Sequence, residues 1–247
     1  FSSRENANEP KLDISALSYT ISVQSSPHNG IAITATPSSI SGTTNYSRDA
    51  YDSTSVTLTA PASAAPGGVD CVFSQWVLDD VVQGGNPIAF GVSGAHEAVA
   101  EYQVVQRTLT VQSTPVTGVV ISGLPPEAPG TTNYTRQIDD HDHVSLGAPA
   151  TVKVSDVDYE FVRWTLDTVA QSENPITFYM DADHTAVAEY QVVQRTLTVQ
   201  STPVTGISIT ATPVGAGDTT NYTKQLDDHT QVSLTAPSTF AKGEFQH

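Results

Sequence analysis

A run of 21 residues, AVAEYQVVQRTLTVQSTPVTG, spans Ala98–Gly118 and returns unchanged at Ala186–Gly206. No other feature limits the fold so strongly, because duplication at a fixed period marks a repeat array rather than one large core. The period holds along the chain. Asn45, Asn133 and Asn221 follow at 88-residue intervals in TTNYS, TTNYT and TTNYT, and Trp76 and Trp164 keep the same spacing. The 247 residues therefore divide into a polar segment at 1–18, repeats at 19–106 and 107–194, and a third, incomplete repeat at 195–247. The third stops within GEFQH, which parallels the YEFVRW segment leading to Trp164, so a continuation is expected. Residues 1–18 read as a tail or upstream linker; a strand donated to a neighbouring subunit is the alternative.

Within each repeat the apolar residues alternate with period two, as half-buried strands require. Ile31, Ile33 and Ala35 do so before Pro37, and Val56, Leu58 and Ala60 do so before Pro61; Val144, Leu146 and Ala148 before Pro149 match the second set. FSQWVL and FVRWTL place Phe73 and Trp76, and Phe161 and Trp164, in a core strand, and Asn-Pro opens the next one. About seven short strands per repeat predict an all-β chain of small, tandem β-sandwich-like domains, each about 88 residues, with a β-grasp-like repeat as the alternative. Threonine, serine and valine in place of helix formers agree with this.

The duplicated run is then a joint. Ala98, Ala100, Tyr102 and Val104 are apolar at even positions, whereas Val105, Leu109 and Val111 are apolar at odd ones. A one-residue change of phase turns the opposite strand face inward. One core is expected to end at Val104 and the next to begin near Val105, without a flexible linker.

The acid excess, 26 Asp and Glu against 10 Lys and Arg, repels nucleic acid and anionic membrane. No apolar run approaches the ~20 residues of a membrane span. A single cysteine, Cys71, excludes an intrachain disulfide framework and reads as a buried apolar residue.

The order RTLTVQSTPVTG, TTNYTR, VSLGAP, FVRW, NPITFYMDADHTAVAEY resembles the divergent internalin B-type repeats of bacterial and archaeal surface proteins. Its sharpest marks are Phe161, Trp164, Asn174, Pro175, Met180, Asp181, Asp183 and Tyr190; the first repeat departs from them with Val92, Ser93 and Ala95. The resemblance implies an extracellular, cell-surface, non-catalytic protein serving as a stalk, adhesin or filament. Its partners would be neighbouring repeats or further copies of itself, with glycans as the alternative.

Three sets of residues are candidates for chemistry. Asp139, Asp140 and Asp142, in DDHDH, and Asp227 and Asp228 in the third repeat could offer oxygen ligands to Ca²⁺, although the spacing is not that of an EF-hand loop. Asn45, Asn133 and Asn221 satisfy the N-glycosylation pattern. Tyr46, Tyr134 and Tyr222, each two residues before a cation, could form a glycan platform. No serine sits in a GxSxG elbow, and an active site recurring every 88 residues would be unusual, so catalysis is not expected.

Overall fold

A computed structural model of the chain describes residues 16–239. The alternative expectations for residues 1–18, a tail or a donated strand, fall almost wholly outside them. The chain divides into two compact units, one of residues 1–106 with 139–141 and one of residues 107–138 with 142–247.

The first unit is built from β1 (Ser18–Ser26), β2 (Ala32–Thr36), β3 (Gly42–Thr43), β4 (Tyr46–Tyr51), β5 (Ser55–Thr59), β6 (Ser63–Ala64), β7 (Cys71–Leu78), β8 (Val81–Gln83), β9 (Ile88–Gly91) and β10 (His96–Val104). The seven strands of four residues or more match the number expected; β3, β6 and β8 are short additions. One sheet has the order β4-β1-β10-β7-β6, with β8 also on β7, and the other the order β3-β2-β5-β9. Ile21 and Val23 of β1, Ile33 of β2, Val56 and Leu58 of β5, Trp76 of β7, and Ala98 and Ala100 of β10 join one buried cluster between the two sheets. This is a β-sandwich. A β-grasp repeat would pack a helix on a single sheet, and here a second sheet occupies that side.

β1 and β10 pair in parallel, from Ile21 opposite His96 to Ser26 opposite Glu101. Parallel neighbours need a long crossover, and here the whole intervening repeat supplies it.

The Phe-x-x-Trp motif has a specific geometric cause. Residues three apart face opposite sides of a regular strand, yet Phe73 and Trp76 both pack on the core. Against β10, Trp76 pairs with Ala100 and Phe73 with Tyr102, and the register shifts between Glu101 and Tyr102. Ser74 is the additional residue of a β-bulge that returns both aromatics to one face. The second unit repeats the device, with a register shift between Phe161 and Arg163.

In the second unit, residues of the second repeat form the same pair of sheets around Leu109, Val111, Leu146, Trp164 and Met180, each fully buried. The described part of the third repeat contains Gln194–Val199 paired with Tyr222–Asp227, and Ser208–Thr212 paired with Asp218–Thr219 and Ser233–Thr235. Its Leu234 is 42% exposed, whereas the corresponding Leu146 is 0% exposed.

Candidate functional site

The distinctive side chains of each repeat converge on backbone. Asn86 accepts hydrogen bonds at Oδ1 from the Ala60 amide at 3.0 Å and the Trp76 indole at 3.2 Å, and donates to the Ala60 carbonyl at 2.8 Å. Tyr102 donates to the Pro61 carbonyl at 3.0 Å. The Ala-Pro, Asn-Pro, Trp and Tyr motifs are thus one lock across the sandwich. Asn174 repeats it with Ala148 and Trp164, and Tyr190 with Pro149.

A second lock explains TTNY. The buried Thr132 hydroxyl accepts from the Val119 amide at 3.0 Å and lies 2.5 Å from Ser113 Oγ. Because Ser113 Oγ donates to the Val116 carbonyl at 2.6 Å, the shared proton belongs to Thr132. Asn133 Oδ1 accepts from the Ser113 amide at 3.0 Å. Ser25, Thr44 and Asn45 repeat this set, as do Ser201, Thr220 and Asn221. The three sequon asparagines are therefore exposed residues whose side-chain oxygens hold the backbone of an adjoining segment.

The candidate calcium acids are engaged in related ways. Within the first unit the Val105 amide donates to the Asp70 carbonyl and the Asp140 amide to the Val105 carbonyl, both at 2.8 Å. The Asp140 carboxylate, 3% exposed as a residue, accepts from the Asp70 amide at 2.8 Å. Asp139 accepts from Gln106, and the Asp142 carbonyl accepts from the Met180 amide. In the third repeat Asp227 accepts from Gln194, and Asp228 from the Asp158 amide and from Arg195. The Arg195 hydrogen bond holds the Asp228 carboxyl below the usual carboxylate range. Among the described residues, no three His, Cys, Asp or Glu side chains assemble as a metal-binding group.

The candidate platform tyrosines are half-buried, and each carries a cation. Arg48 lies 5.2 Å from the Tyr46 ring centroid, Arg136 4.8 Å from that of Tyr134, and Lys224 5.9 Å from that of Tyr222. A Cβ at Gly42 or Gly130 would meet the adjacent tyrosine ring at 2.8–2.9 Å, so glycine is what lets the ring seat there. Tyr134 donates to the Ala128 carbonyl at 2.7 Å, and burial pushes its phenol up to about 12 although Arg136 pulls the other way.

One pair of histidines separates the repeats. His96 Nδ1 bonds Asp79 at 2.6 Å. His184 Nδ1 bonds Asp167 at 2.5 Å, and its Nε2 also meets Asp181 at 3.0 Å. Burial lowers the His184 pKa, but hydrogen bonds and charge from Asp167 and Asp181 outweigh it, and the net shift is upward. A raised folded pKa stabilises below the unfolded value and loses that increment as pH rises through the folded value. The second repeat should lose this contribution as pH climbs from about 6.5 through the His184 pKa. Asp181→Ser, which installs the Ser93 chemistry of the first repeat, should lower the His184 pKa. NMR titration of the His184 ring checks this; an unmoved pKa would contradict it.

Sequence reasoning located these residues but missed what joins them. The recurrence of Asp70 and Asp158, and of Arg107 and Arg195, at the 88-residue interval was the available signal.

No protein-family model and no curated protein matches the chain. Among solved structures it is similar to the Bacillus anthracis TIE protein at 11% identity, with a TM-score of 0.44, over 90% of this chain and 44% of that one. It is also similar to domains 3–4 of the Streptococcal High Identity Repeats in Tandem of a cell surface protein, at 14% identity with a TM-score of 0.25, over 71% of this chain and 99% of that one. The chain spans less than half the length of the first of these. Both scores are low, and the assignment to an all-β sandwich rests on the strands themselves.

Proposed function

We propose that this chain is a non-catalytic, extracellular structural array of the cell surface, acting as a stiff stalk or as the repeating part of a surface filament. One observation carries this reading. The same polar locks recur at 88-residue intervals, while only Val105 and Val193 separate the last strand of one repeat from the first of the next. Asn45, Asn133, Asn221, Asp140 and Asp228 each hold a backbone amide, which suits a series of domains under tension. No helix among the described residues is long and apolar enough to cross a membrane.

Electron microscopy of the native protein, with and without a calcium chelator, tests the reading. Regular fibres would identify a filament, and separate slender particles a stalk. Loss of order on chelation would assign Ca²⁺ to the acidic turns. Saturable glycan binding that disappears in Tyr134→Ala would instead support a carbohydrate-binding array. Intact-mass spectrometry of the native protein would show whether Asn45, Asn133 and Asn221 carry glycans.

A further inference from the structure

We infer that Asp158, Val193, Arg195 and Asp228 form a coupling clamp through which one repeat recognises the next, a reading that rests on the array function proposed above. The clamp lies wholly within the second unit. The Val193 amide donates to the Asp158 carbonyl at 2.9 Å, and the Asp228 amide donates to the Val193 carbonyl at 2.8 Å. The residue between two strands is thereby stitched on both sides. Asp158 belongs to the second repeat and Asp228 to the third, and the Asp158 amide returns a 2.8 Å hydrogen bond to the Asp228 carboxylate. Arg195 closes the ring, with Nε 2.8 Å from Asp228 Oδ1 and Nη2 2.6 Å from Asp158 Oδ2.

An isolated exposed ion pair contributes little. A planar guanidinium held by two carboxylates, one of them also fixed by a backbone amide, is geometrically selective, and lysine cannot reproduce it. The partner that this surface fits is therefore another repeat with an Asp and a free backbone N–H at the position of Asp158. The same backbone hydrogen bonds recur in the first unit among Asp70, Val105 and Asp140. At the front of the first repeat, Asp52 still donates its amide to the Leu17 carbonyl at 2.9 Å, but Tyr19 stands where Arg107 and Arg195 stand in the later repeats.

Amide hydrogen exchange on the full chain, in Arg195→Met and Asp228→Ala, tests the clamp. The amides of Asp158 and Asp228 should exchange roughly five- to tenfold faster, the effect of about one lost hydrogen bond. The amides of Ala148, within the second repeat, and Gly206, within the third, should keep their protection. Arg195→Lys should not restore the slow exchange. Unchanged exchange at Asp158 and Asp228 would overturn the proposal. Loss that spreads to Ala148 and Gly206 would also overturn it, because the residues would then be supporting folding rather than coupling. Either result would leave the array function standing, since that reading is judged by particle form and ligand binding.

Discussion

Trp164→Ala is expected to destabilise the second repeat by about 3–5 kcal/mol, the cost of truncating a fully buried large aromatic. Trp164 is 0% exposed, and its ring packs 6.1 Å from that of Phe161. A repeat of this size holds about 4–13 kcal/mol in total, so the loss is a large share of it. Truncation also leaves Asn174 with one fewer donor while it still grips Ala148. The chain has two tryptophans, so in this variant Trp76 becomes the sole indole and its emission reports the first unit alone. Chemical denaturation should show the circular-dichroism transition of the second repeat moving to much lower denaturant while the Trp76 transition stays near its original midpoint. A single transition shifted as a whole would mean that the repeats unfold as one body.

The second large effect is expected at Thr132. Thr132→Val keeps the shape but removes the hydroxyl that accepts from Val119 and donates to Ser113, at a site 6% exposed. A buried amide without its acceptor costs about 1–3 kcal/mol, and the orphaned Ser113 lone pair adds to it. A net loss of about 2–3 kcal/mol is expected in the denaturation midpoint of the second repeat. Thr132→Ser keeps both hydrogen bonds and removes one methyl, so it should cost only about 1 kcal/mol. A near-neutral Thr132→Val beside a costly Thr132→Ser would mean that the methyl, and not the hydroxyl, matters there.

The two substitutions also show where sequence reading stops. Trp164 was legible as a core residue, because its apolar neighbours and the following Asn-Pro turn fix a strand with one buried face. Its partner was not, because Asn174 read as turn chemistry and its carbonyl oxygen turned out to anchor the indole and a distant Ala-Pro segment. Phe161 and Trp164 could be assigned to one strand, but their three-residue spacing makes sense only with the bulge. A bulge is a property of two paired strands and leaves no mark in one. The phase change at Val105 was visible in the alternation. The acids around it read as candidate calcium ligands, and composition shows their charge but not their partners. Asp140 meets Asp70, and Asp228 meets Asp158, each across 70 residues of chain. Thr132 was visible only within the recurring TTNY motif, and Asn133 there and as a sequon, since the strand they hold lies 20 residues away from Asn133.

Successive repeats are proposed to form a stiff series, and the distance between matching positions of two repeats reports that stiffness. Thr135 and Thr223 occupy matching exposed positions of the second and third repeats and can carry spin labels through Thr135→Cys and Thr223→Cys. Cys71 is 1% exposed and lies away from the reagent. Pulsed electron spin resonance on the full chain should give one narrow distance distribution. A broad distribution would contradict a stiff series, and a narrow one that broadens with a calcium chelator would assign the stiffness to Ca²⁺.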